Sequence, residues 1–573
     1  MERKWWQQRN IYQIYLRSFF DTDGDGIGDL NGVIAKLPYL EELGVGVLWI
    51  SPHYDSPMDD NGYDVRDHYA VSSDYGTLDD FRRLLDEAHK RTIKVIADLV
   101  LNHTSDEHAW FQAAKDPCHP NHLKYHDYYI WQKPKIDANG KRMRPTRWIG
   151  WFGSPTWDYN EATDEYYLHI FSRKMPDLNW RNAEMRADMK KMIRWWLDLG
   201  LDGFRVDASN HLEKNWDFPD TFPGYENFSS IPKHHEYLRE LGSEIFAVRD
   251  VVTIGESGGA SREEALQYAG FGSNEFNMLI QFGHCWADVD SHHPKLMGKW
   301  AQGKLNVSLI KRSFMSWYDM LAGKGWNVIY WHNHDQPRVL SHYGDDGIYR
   351  IEAAKMLAMA LYFMPGTAIC YQGEEIGMTN VRYDSLADFR DVEVFTEYQN
   401  MLDRGYTPAA ALDIIKARCR DNARTPMQWS AEANGGFSSG TPWIRTNPNY
   451  PEINVRSQEK DADSILQLYR RILKQRMADP DIAGGAIHFL DIDGADTYSY
   501  LNVGEQNEYL VVCNFTGNAQ RQHLAGIDSA GFVSWCHNYP KPPRLHGQTI
   551  SLLPYEAVVY RRRKPDPSPL RNY

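Results

Sequence analysis

The sequence is poor in cysteine and in long apolar runs, and each shortage excludes a class of protein. Six cysteines among 573 residues show no CxxC pair and no metal-ligand spacing, so we expect reduced, mostly buried thiols. No window reaches the ~20 apolar residues that span a bilayer. The start, MERKWWQQRNIY, lacks the apolar region of a secretory signal. We therefore expect a cytoplasmic protein that does not associate with membranes.

Clustered positive charge is also missing. The formal net charge is -14 and no basic stripe offsets it, which excludes nucleic acid as a partner. The composition, 42% hydrophobic and 24% charged, is that of a globular protein large enough for two or three domains.

Short apolar stretches rich in Val, Ile, Tyr and Trp alternate with helical patterns, which is typical of βα units around a parallel sheet. Thr77 followed by Asp80, for example, predicts a capped helix start. Eight stretches have strand character, and eight strands close a barrel. The sequence therefore predicts an α/β fold of the (β/α)8 TIM barrel type. The stretches are 11–19, 45–52, 92–103, 203–209, 251–257, 275–282, 327–335 and 366–375.

Three segments do not fit the barrel alternation. Residues 104–176, dense in Trp, Pro and Gly, predict an inserted domain after the third strand, so that the barrel comprises 1–103 and 177–480. Residues 376–451 predict a second, irregular insertion. Short strands with turn signals predict a C-terminal antiparallel β domain of the sandwich type over 481–563, followed by a flexible tail, 564–573.

The stretch DTDGDGIGDL predicts a structural site for a hard cation, Ca²⁺ or Mg²⁺. Its aspartates stand at alternate positions, as the ligands of an EF-hand loop do, and a glycine stands at the sharp turn. Position 12, where an EF-hand has a glutamate, is Gly32, so the loop is not an EF-hand. A solvated acidic turn without metal is the alternative. The candidate ligands are Asp21, Asp23, Asp25, Asp29 and the backbone carbonyl of Ile27.

Carboxylates follow several of the predicted strands, and parallel strands direct them to one mouth. Two carboxyl groups about 5 to 5.5 Å apart across a sugar ring allow a retaining glycosidase mechanism. Arg205 lies on the same strand face as Asp207 and favours its ionised form, which indicates a nucleophile. Glu256 follows an apolar run and is the candidate proton donor.

The motifs DLVLNH at Asp98, GFRVDA at Gly203, TIGES at Thr253 and HNHD at His332 resemble the four signature regions of glycoside hydrolase family 13, the α-amylase family. QIYLRSF, NGYDV and RDNARTPMQW resemble its oligo-1,6-glucosidase and α-glucosidase branch. The resemblance covers nearly the whole chain.

This resemblance implies that Asp207 is the nucleophile, Glu256 the acid/base and Asp335 a third catalytic carboxylate that distorts the sugar. Asp98 is implied to be structural. An aspartate and an arginine that grip the non-reducing end would make the enzyme exo-acting, and the aspartate-rich loop matches a calcium loop of many members. The implied substrate-binding residues are Asp60, Tyr63, His103, Arg205, His334 and Arg420.

We predict a retaining exo-acting α-glucosidase, monomeric or weakly dimeric, that cleaves short α-glucosides with some transglycosylation. Ala208 stands where isomaltose-type members carry valine, which favours α-1,4 bonds, while Ser257 departs from the usual Met or Val. Oligo-1,6-glucosidase, sucrose isomerase or glucosyltransferase, and trehalose-6-phosphate hydrolase remain alternatives. In the last of these, Lys295 and Lys299 would hold a phosphate. A non-catalytic, transporter-subunit-like scaffold is disfavoured because the carboxylates are retained.

Overall fold

A (β/α)8 barrel forms the centre of the molecule. The computed structural model describes residues 3–564. Eight parallel strands, each within one of the predicted stretches, are paired in the order β6-β5-β4-β3-β2-β1-β8-β7, so the predicted α/β barrel is confirmed. The Tyr330 hydroxyl, just after β7, donates to the Gln281 carbonyl, just after β6, at 2.8 Å and links the two end strands. The strands are β1 Ile11–Ile14, β2 Val47–Ile50, β3 Lys94–Val100, β4 Gly203–Asp207, β5 Val252–Glu256, β6 Met278–Ile280, β7 Val328–Ile329 and β8 Thr367–Tyr371.

One principal helix follows each strand. The second, α2, begins as predicted with a capping box in which the Asp80 carboxylate accepts the Thr77 backbone N–H at 2.9 Å. Its buried face is apolar, and its outer face is charged, which is the pattern of a helix covering a barrel. The helices are α1 Leu30–Leu43, α2 Leu78–Lys90, α3 Ala183–Asp198, α4 His234–Leu241, α5 Ala265–Ala269, α6 Val307–Leu321, α7 Arg350–Tyr362 and α8 Ile465–Ala478.

The strands are shorter than predicted at their carboxyl ends. β7 was predicted to continue to Asp335 but ends at Ile329. The residues beyond it form a loop that brings His334 and Asp335 to the barrel mouth. Residues whose side chains line the barrel mouth no longer form the strand hydrogen bonds. A strand predicted from an apolar run is therefore too long wherever the run ends in such residues.

The insertion after β3 forms a small antiparallel sheet of Trp131–Gln132, Trp157–Asn160 and Glu165–Leu168, with two short helices, Ala109–Ala114 and His122–His126, and a hairpin of Lys135–Ile136 and Arg142–Met143. The chain leaves and re-enters the barrel at paired residues, His103 and Asp177.

A fully buried lysine joins this insertion to the barrel. Lys214, on the loop after β4, donates to the Asn102 side-chain oxygen and to the Asp177 carboxylate, both at 2.9 Å, and to the His211 carbonyl. An ammonium group out of contact with water requires such partners, since an unpaired buried charge is costly. Asn102 precedes the insertion and Asp177 follows it. Lys214 therefore binds both ends of the insertion and fixes them on the barrel.

The insertion after β8, predicted to be irregular over 376–451, contains three α-helices that are joined and followed by long irregular stretches. Its helices bury a cluster of their own around Val394, Met401 and Ile415. The helices are Val392–Asp403, Pro408–Arg418 and Asp421–Arg424; further short helices are Val339–Tyr343, Val455–Glu459 and Pro480–Gly484.

The C-terminal region consists of antiparallel β structure. Five strands pair in the order Ala486–Leu490, Thr497–Val503, Asn507–Asn514, Ala557–Arg563, Val533–His537, and Gln520–His523 pairs with Thr549–Leu552. These strands lie inside the predicted range 481–563. The predicted tail lies outside the described residues, apart from residue 564.

All six cysteines are free, and only Cys118 is exposed, in agreement with the prediction of reduced, mostly buried thiols. Within residues 3–564, no helix has both the length and the apolar character that crossing a membrane requires.

Candidate active site

A cavity of about 840 Å³ opens at the carboxyl ends of the barrel strands, between the two insertions. Its size exceeds that of one sugar ring. Two predicted site residues, Arg205 and His334, lie behind its wall and contact the groups that line it. The predicted residues that line it directly are Asp60, Tyr63, His103, Asp207, Glu256, Asp335 and Arg420.

One guanidinium group holds the two predicted catalytic carboxylates. Arg205 is fully buried, and its Nη1 donates to the Asp207 Oδ1 at 2.7 Å and also to the Asp98 carboxylate. Its Nη2 pairs with the Glu256 Oε1 at 2.5 Å. The second Glu256 oxygen accepts the Ala208 backbone N–H at 3.2 Å. Asp207 and Glu256 therefore face each other across one end of a single cavity.

Burial decides the charge distribution around Arg205. It raises the pKa of Asp207 well above its usual range, and the negative charge of Glu256 adds to this effect. Arg205 favours the ionised form of Asp207, as predicted, but burial outweighs it. Burial likewise raises the pKa of Asp98 to about 6. Burial thus favours a proton on the pair formed by Asp207 and Asp98, and that proton belongs to the pair as a whole.

Asp335 is held ionised by a different set of groups. Its Oδ1 accepts from the Arg424 Nη2 at 3.0 Å and from the Arg420 Nη1 at 3.3 Å. Burial alone raises the pKa of Asp335, but His334 and these two guanidinium groups outweigh it and hold the pKa well below its usual range. The cavity thus combines an ionised carboxylate with a carboxyl pair on which burial favours a proton.

A charged wall closes one side of the cavity. The Arg420 Nη2 donates to the Asp60 Oδ1 at 3.0 Å and to the Asp391 Oδ1 at 2.6 Å. The Arg420 guanidinium also lies 4.8 Å from the centre of the Phe152 ring. All of these groups are buried, and the charged ones are paired with one another, so they form a continuous charged boundary on this side of the cavity.

The histidines of the site are neutral. The Tyr63 hydroxyl lies 2.6 Å from the His334 Nε2, and the two rings stack with centroids 5.3 Å apart. The Gln13 side-chain nitrogen lies 2.8 Å from the His334 Nδ1. Burial lowers the pKa of both His334 and His103 to about 3. His103, which lines the cavity, can therefore hydrogen-bond to a sugar hydroxyl without carrying charge, whereas His334 lies behind the wall and holds Tyr63 in place.

Several lining residues were missed by the sequence analysis. Glu393, Glu397 and Arg404 line the cavity from the insertion after β8, and Asp391 of the same insertion pairs with Arg420. The acidic run DVEVFTE was the signal that could have indicated the three acidic residues. Lys299, which we predicted to be a solvated lysine or a phosphate ligand, lines the cavity and pairs with Glu393 at 2.5 Å. Lys295 does not line the cavity.

Three of the predicted metal-ligating side chains lie together. Asp21, Asp23 and Asp29 each offer a carboxylate oxygen, and these oxygens lie within 4.8 Å of one another. This spacing fits a cation that is bound to each oxygen at about 2.3 to 2.6 Å. Asp25, the fourth predicted side-chain ligand, lies outside this group, and its Oδ1 accepts the Ile27 backbone N–H at 2.7 Å.

The turn of this loop requires glycine. Gly26 has a φ of +93°, and a Cβ there would lie 1.9 Å from the Thr441 carbonyl oxygen. The Gly26 carbonyl in turn accepts the Trp443 backbone N–H at 3.0 Å. The aspartate loop is therefore packed against the end of the insertion that follows β8.

A barrel whose mouth carries two facing carboxyl groups, neutral histidines and a closed charged wall defines a glycoside hydrolase. The chain belongs to the alpha-amylase family, whose catalytic domain matches residues 13–485. It is 42% identical to an oligo-1,6-glucosidase from Parageobacillus thermoglucosidasius, over 99% of this chain and 100% of that protein.

Two solved structures show the same likeness. A mutant trehalose-6-phosphate hydrolase from Bacillus licheniformis superposes with a TM-score of 0.90 at 39% identity, covering 98% of this chain and 100% of that chain. Isomaltulose synthase from Erwinia rhapontici superposes with a TM-score of 0.91 at 36% identity, covering 99% and 100%. Relatives of similar fold and identity thus have different named activities, so this chain's specificity must be argued from its own residues.

Proposed function

We propose that this protein is a retaining, exo-acting α-glucosidase that removes terminal glucose from short α-glucosides. The observation that carries the proposal is the binding of Asp207 and Glu256 to one buried guanidinium at the closed end of the cavity. A pyranose placed there lies between a nucleophile and a proton donor, which is the arrangement of the two-step retaining mechanism.

The chemistry is a double displacement. The Asp207 carboxylate attacks the anomeric carbon while the bond to the leaving oxygen breaks and Glu256 gives that oxygen its proton. Water then attacks the glucosyl ester, its proton passes to the Glu256 carboxylate, and the Asp207 carboxylate leaves. An acceptor alcohol in place of water gives transglycosylation. Ionised Asp335 supports this reaction by accepting hydrogen bonds from sugar hydroxyls.

The charged wall supports exo action. We expect Asp60→Ala to lower kcat/KM on maltose by roughly 10- to 100-fold, since it removes a hydrogen-bond acceptor and leaves part of the Arg420 guanidinium unpaired. Steady-state kinetics would measure this. Asp59→Ala is the matched control, because its neighbouring carboxylate accepts from Ser172 and does not line the cavity. Equal kinetics for the two variants would contradict a substrate contact at Asp60.

We propose α-1,4 bonds as the preferred linkage. Ala208 lines the cavity between the two catalytic carboxylates, and its small side chain leaves space beside the scissile bond. Initial rates on maltose, isomaltose, sucrose, trehalose and trehalose 6-phosphate, measured side by side, should rank maltose first. A clear lead for isomaltose would overturn the argument from Ala208.

The cavity gives little support to a phosphorylated substrate. Lys299 and Arg404 are its candidate phosphate ligands, but Glu393 and Glu397 line the same wall. The Lys299 ammonium is already paired with Glu393, so a phosphate would have to displace a carboxylate. Trehalose 6-phosphate should therefore be a poor substrate.

We further propose that the aspartate loop binds a structural Ca²⁺ through Asp21, Asp23 and Asp29. A cation present at 1,000 times its Kd adds about 4 kcal/mol of stability, which raises the Tm of a large chain by a few °C. Thermal unfolding with excess EDTA and with millimolar CaCl₂ should show this difference.

The exposed ligand provides the variant for this test. Asp23→Asn should abolish the calcium-dependent rise in Tm, because the carboxylate is lost from the group while the fold is undisturbed. Asp25→Asn should retain the rise, since Asp25 lies outside the group. If the wild-type Tm does not respond to calcium, the loop is an acidic turn without metal.

A further inference from the structure

A buried serine stands directly after the proposed proton donor. Ser257 does not line the cavity, and its hydroxyl lies 3.3 Å from the Tyr268 hydroxyl inside the protein. Within residues 3–564 this contact is the one hydrogen bond of the Ser257 side chain. Because a buried hydroxyl without a partner is costly, the contact determines where this side chain points. A methionine or valine at the same position would have no hydroxyl to make it.

The direction of these hydrogen bonds follows from His234. Its Nδ1 lies 2.7 Å from the Ile231 carbonyl oxygen, which can only accept, so Nδ1 carries the proton. Burial lowers the pKa of His234 to about 4, so the ring is neutral and its Nε2 is an acceptor. The Tyr268 hydroxyl, 2.6 Å from that Nε2, therefore donates to it and accepts from Ser257. We call this chain of Ser257, Tyr268 and His234 the serine relay.

The inner end of the serine relay is packed against the barrel scaffold. The His234 ring lies on the His235 ring, with centroids 4.0 Å apart. The His235 Nδ1 lies 2.8 Å from a carboxylate oxygen of Glu275, which also accepts from the Arg239 Nη1 at 2.9 Å. These groups belong to α4 and to the segment just before β6, so the relay ends on elements that are joined by charged contacts.

The outer end of the serine relay acts on the backbone at the end of β5. The Glu256 carbonyl accepts from the Ser209 hydroxyl at 2.6 Å, and the Ser257 backbone N–H donates to the Ile280 carbonyl at 3.2 Å. Residues 258–259, which follow, are both glycines that line the cavity and have no side chain to pack. The Ser257 side chain is therefore the last one that can hold the backbone beside Glu256.

We propose that the serine relay positions the proton donor. By fixing Ser257, it holds the Glu256 carboxyl where its proton reaches the leaving oxygen. This inference rests on the proposed function, in which Glu256 is the acid. None of the three relay residues lines the cavity, so each acts through Glu256 and not on the substrate. Such positioning affects the rate strongly, because small displacements of a reacting group slow the chemical step.

The test removes the two hydroxyl groups of the relay. Ser257→Ala and Tyr268→Phe should each lower kcat on maltose roughly 10-fold, with little change in KM. On α-glucosyl fluoride the loss should stay below about twofold, because fluoride leaves without full protonation. A general structural defect would slow both reactions alike. The double variant should lose no more activity than Tyr268→Phe alone, since both hydroxyls act through one relay.

Ser261→Ala and Tyr318→Phe are the matched controls, and both should keep the wild-type ratio of the two rates. Ser261 is exposed on the same segment after β5, and the Tyr318 hydroxyl donates to the Pro365 carbonyl outside the cavity. Three results would each overturn the relay alone: wild-type rates in both relay variants, equal losses on both substrates, or a double variant whose loss is the product of the single losses. A wild type inactive on both substrates would overturn the proposed function as well.

Discussion

Asp207→Asn is expected to lower kcat/KM on maltose by roughly 10⁴-fold or more, because an amide cannot form the glucosyl ester. The fold should not suffer. Burial raises the pKa of Asp207, so the ionised carboxylate is less stable in the folded protein than in water, and a neutral side chain removes its repulsion with Glu256. We therefore expect an unchanged or higher Tm together with the loss of activity.

Asp217→Asn is the control for this variant, since Asp217 lies exposed on the loop that follows the same strand and does not line the cavity. Initial rates and thermal unfolding of both variants separate a chemical effect from a folding defect. Near-wild-type activity of Asp207→Asn would contradict the assignment of Asp207 as the nucleophile.

Glu256→Gln is expected to produce a loss that depends on the leaving group. On maltose, kcat/KM should fall by roughly 10³-fold, because the departing hydroxyl needs a proton. On α-glucosyl fluoride the loss should be much smaller, since fluoride leaves without full protonation.

Glu263→Gln, an exposed glutamate on the segment after β5, should behave as wild type on both substrates. Equal losses on maltose and on glucosyl fluoride would show that Glu256 acts through structure and does not donate the proton. The comparison therefore tests the assignment of the acid independently of the nucleophile.

The sequence predicted the barrel because its signals are local. Strand and helix patterns depend on nearby residues, and Thr77 with Asp80 determines a helix start within one turn. The candidate catalytic residues could be predicted because each lies at or beyond the carboxyl end of a strand, and parallel strands bring such positions together. The helical insertion after β8 was called irregular because its helices are short and separated by turns.

The electrostatics of the site could not be read in the same way. That Arg205 is shared by Asp98, Asp207 and Glu256 depends on three strands and on the burial of the whole group. The Asp25 carboxylate accepts a backbone N–H and lies outside the group of three aspartates. The spacing of the aspartates in the sequence does not show which of them lie together. The order of strands and residues therefore predicts which groups come together. Which of these groups carries a proton depends on the environment that they share.

The buried lysine bridge restricts how this protein can evolve. Removing Lys214 or Asp177 alone strands the other charge out of reach of water, at a cost of about 3–5 kcal/mol. We therefore expect a single substitution at either position to destabilise the fold, and a replacement of both charges together to be better tolerated. Substitutions in the loops of the insertion leave this pair intact and should be tolerated singly.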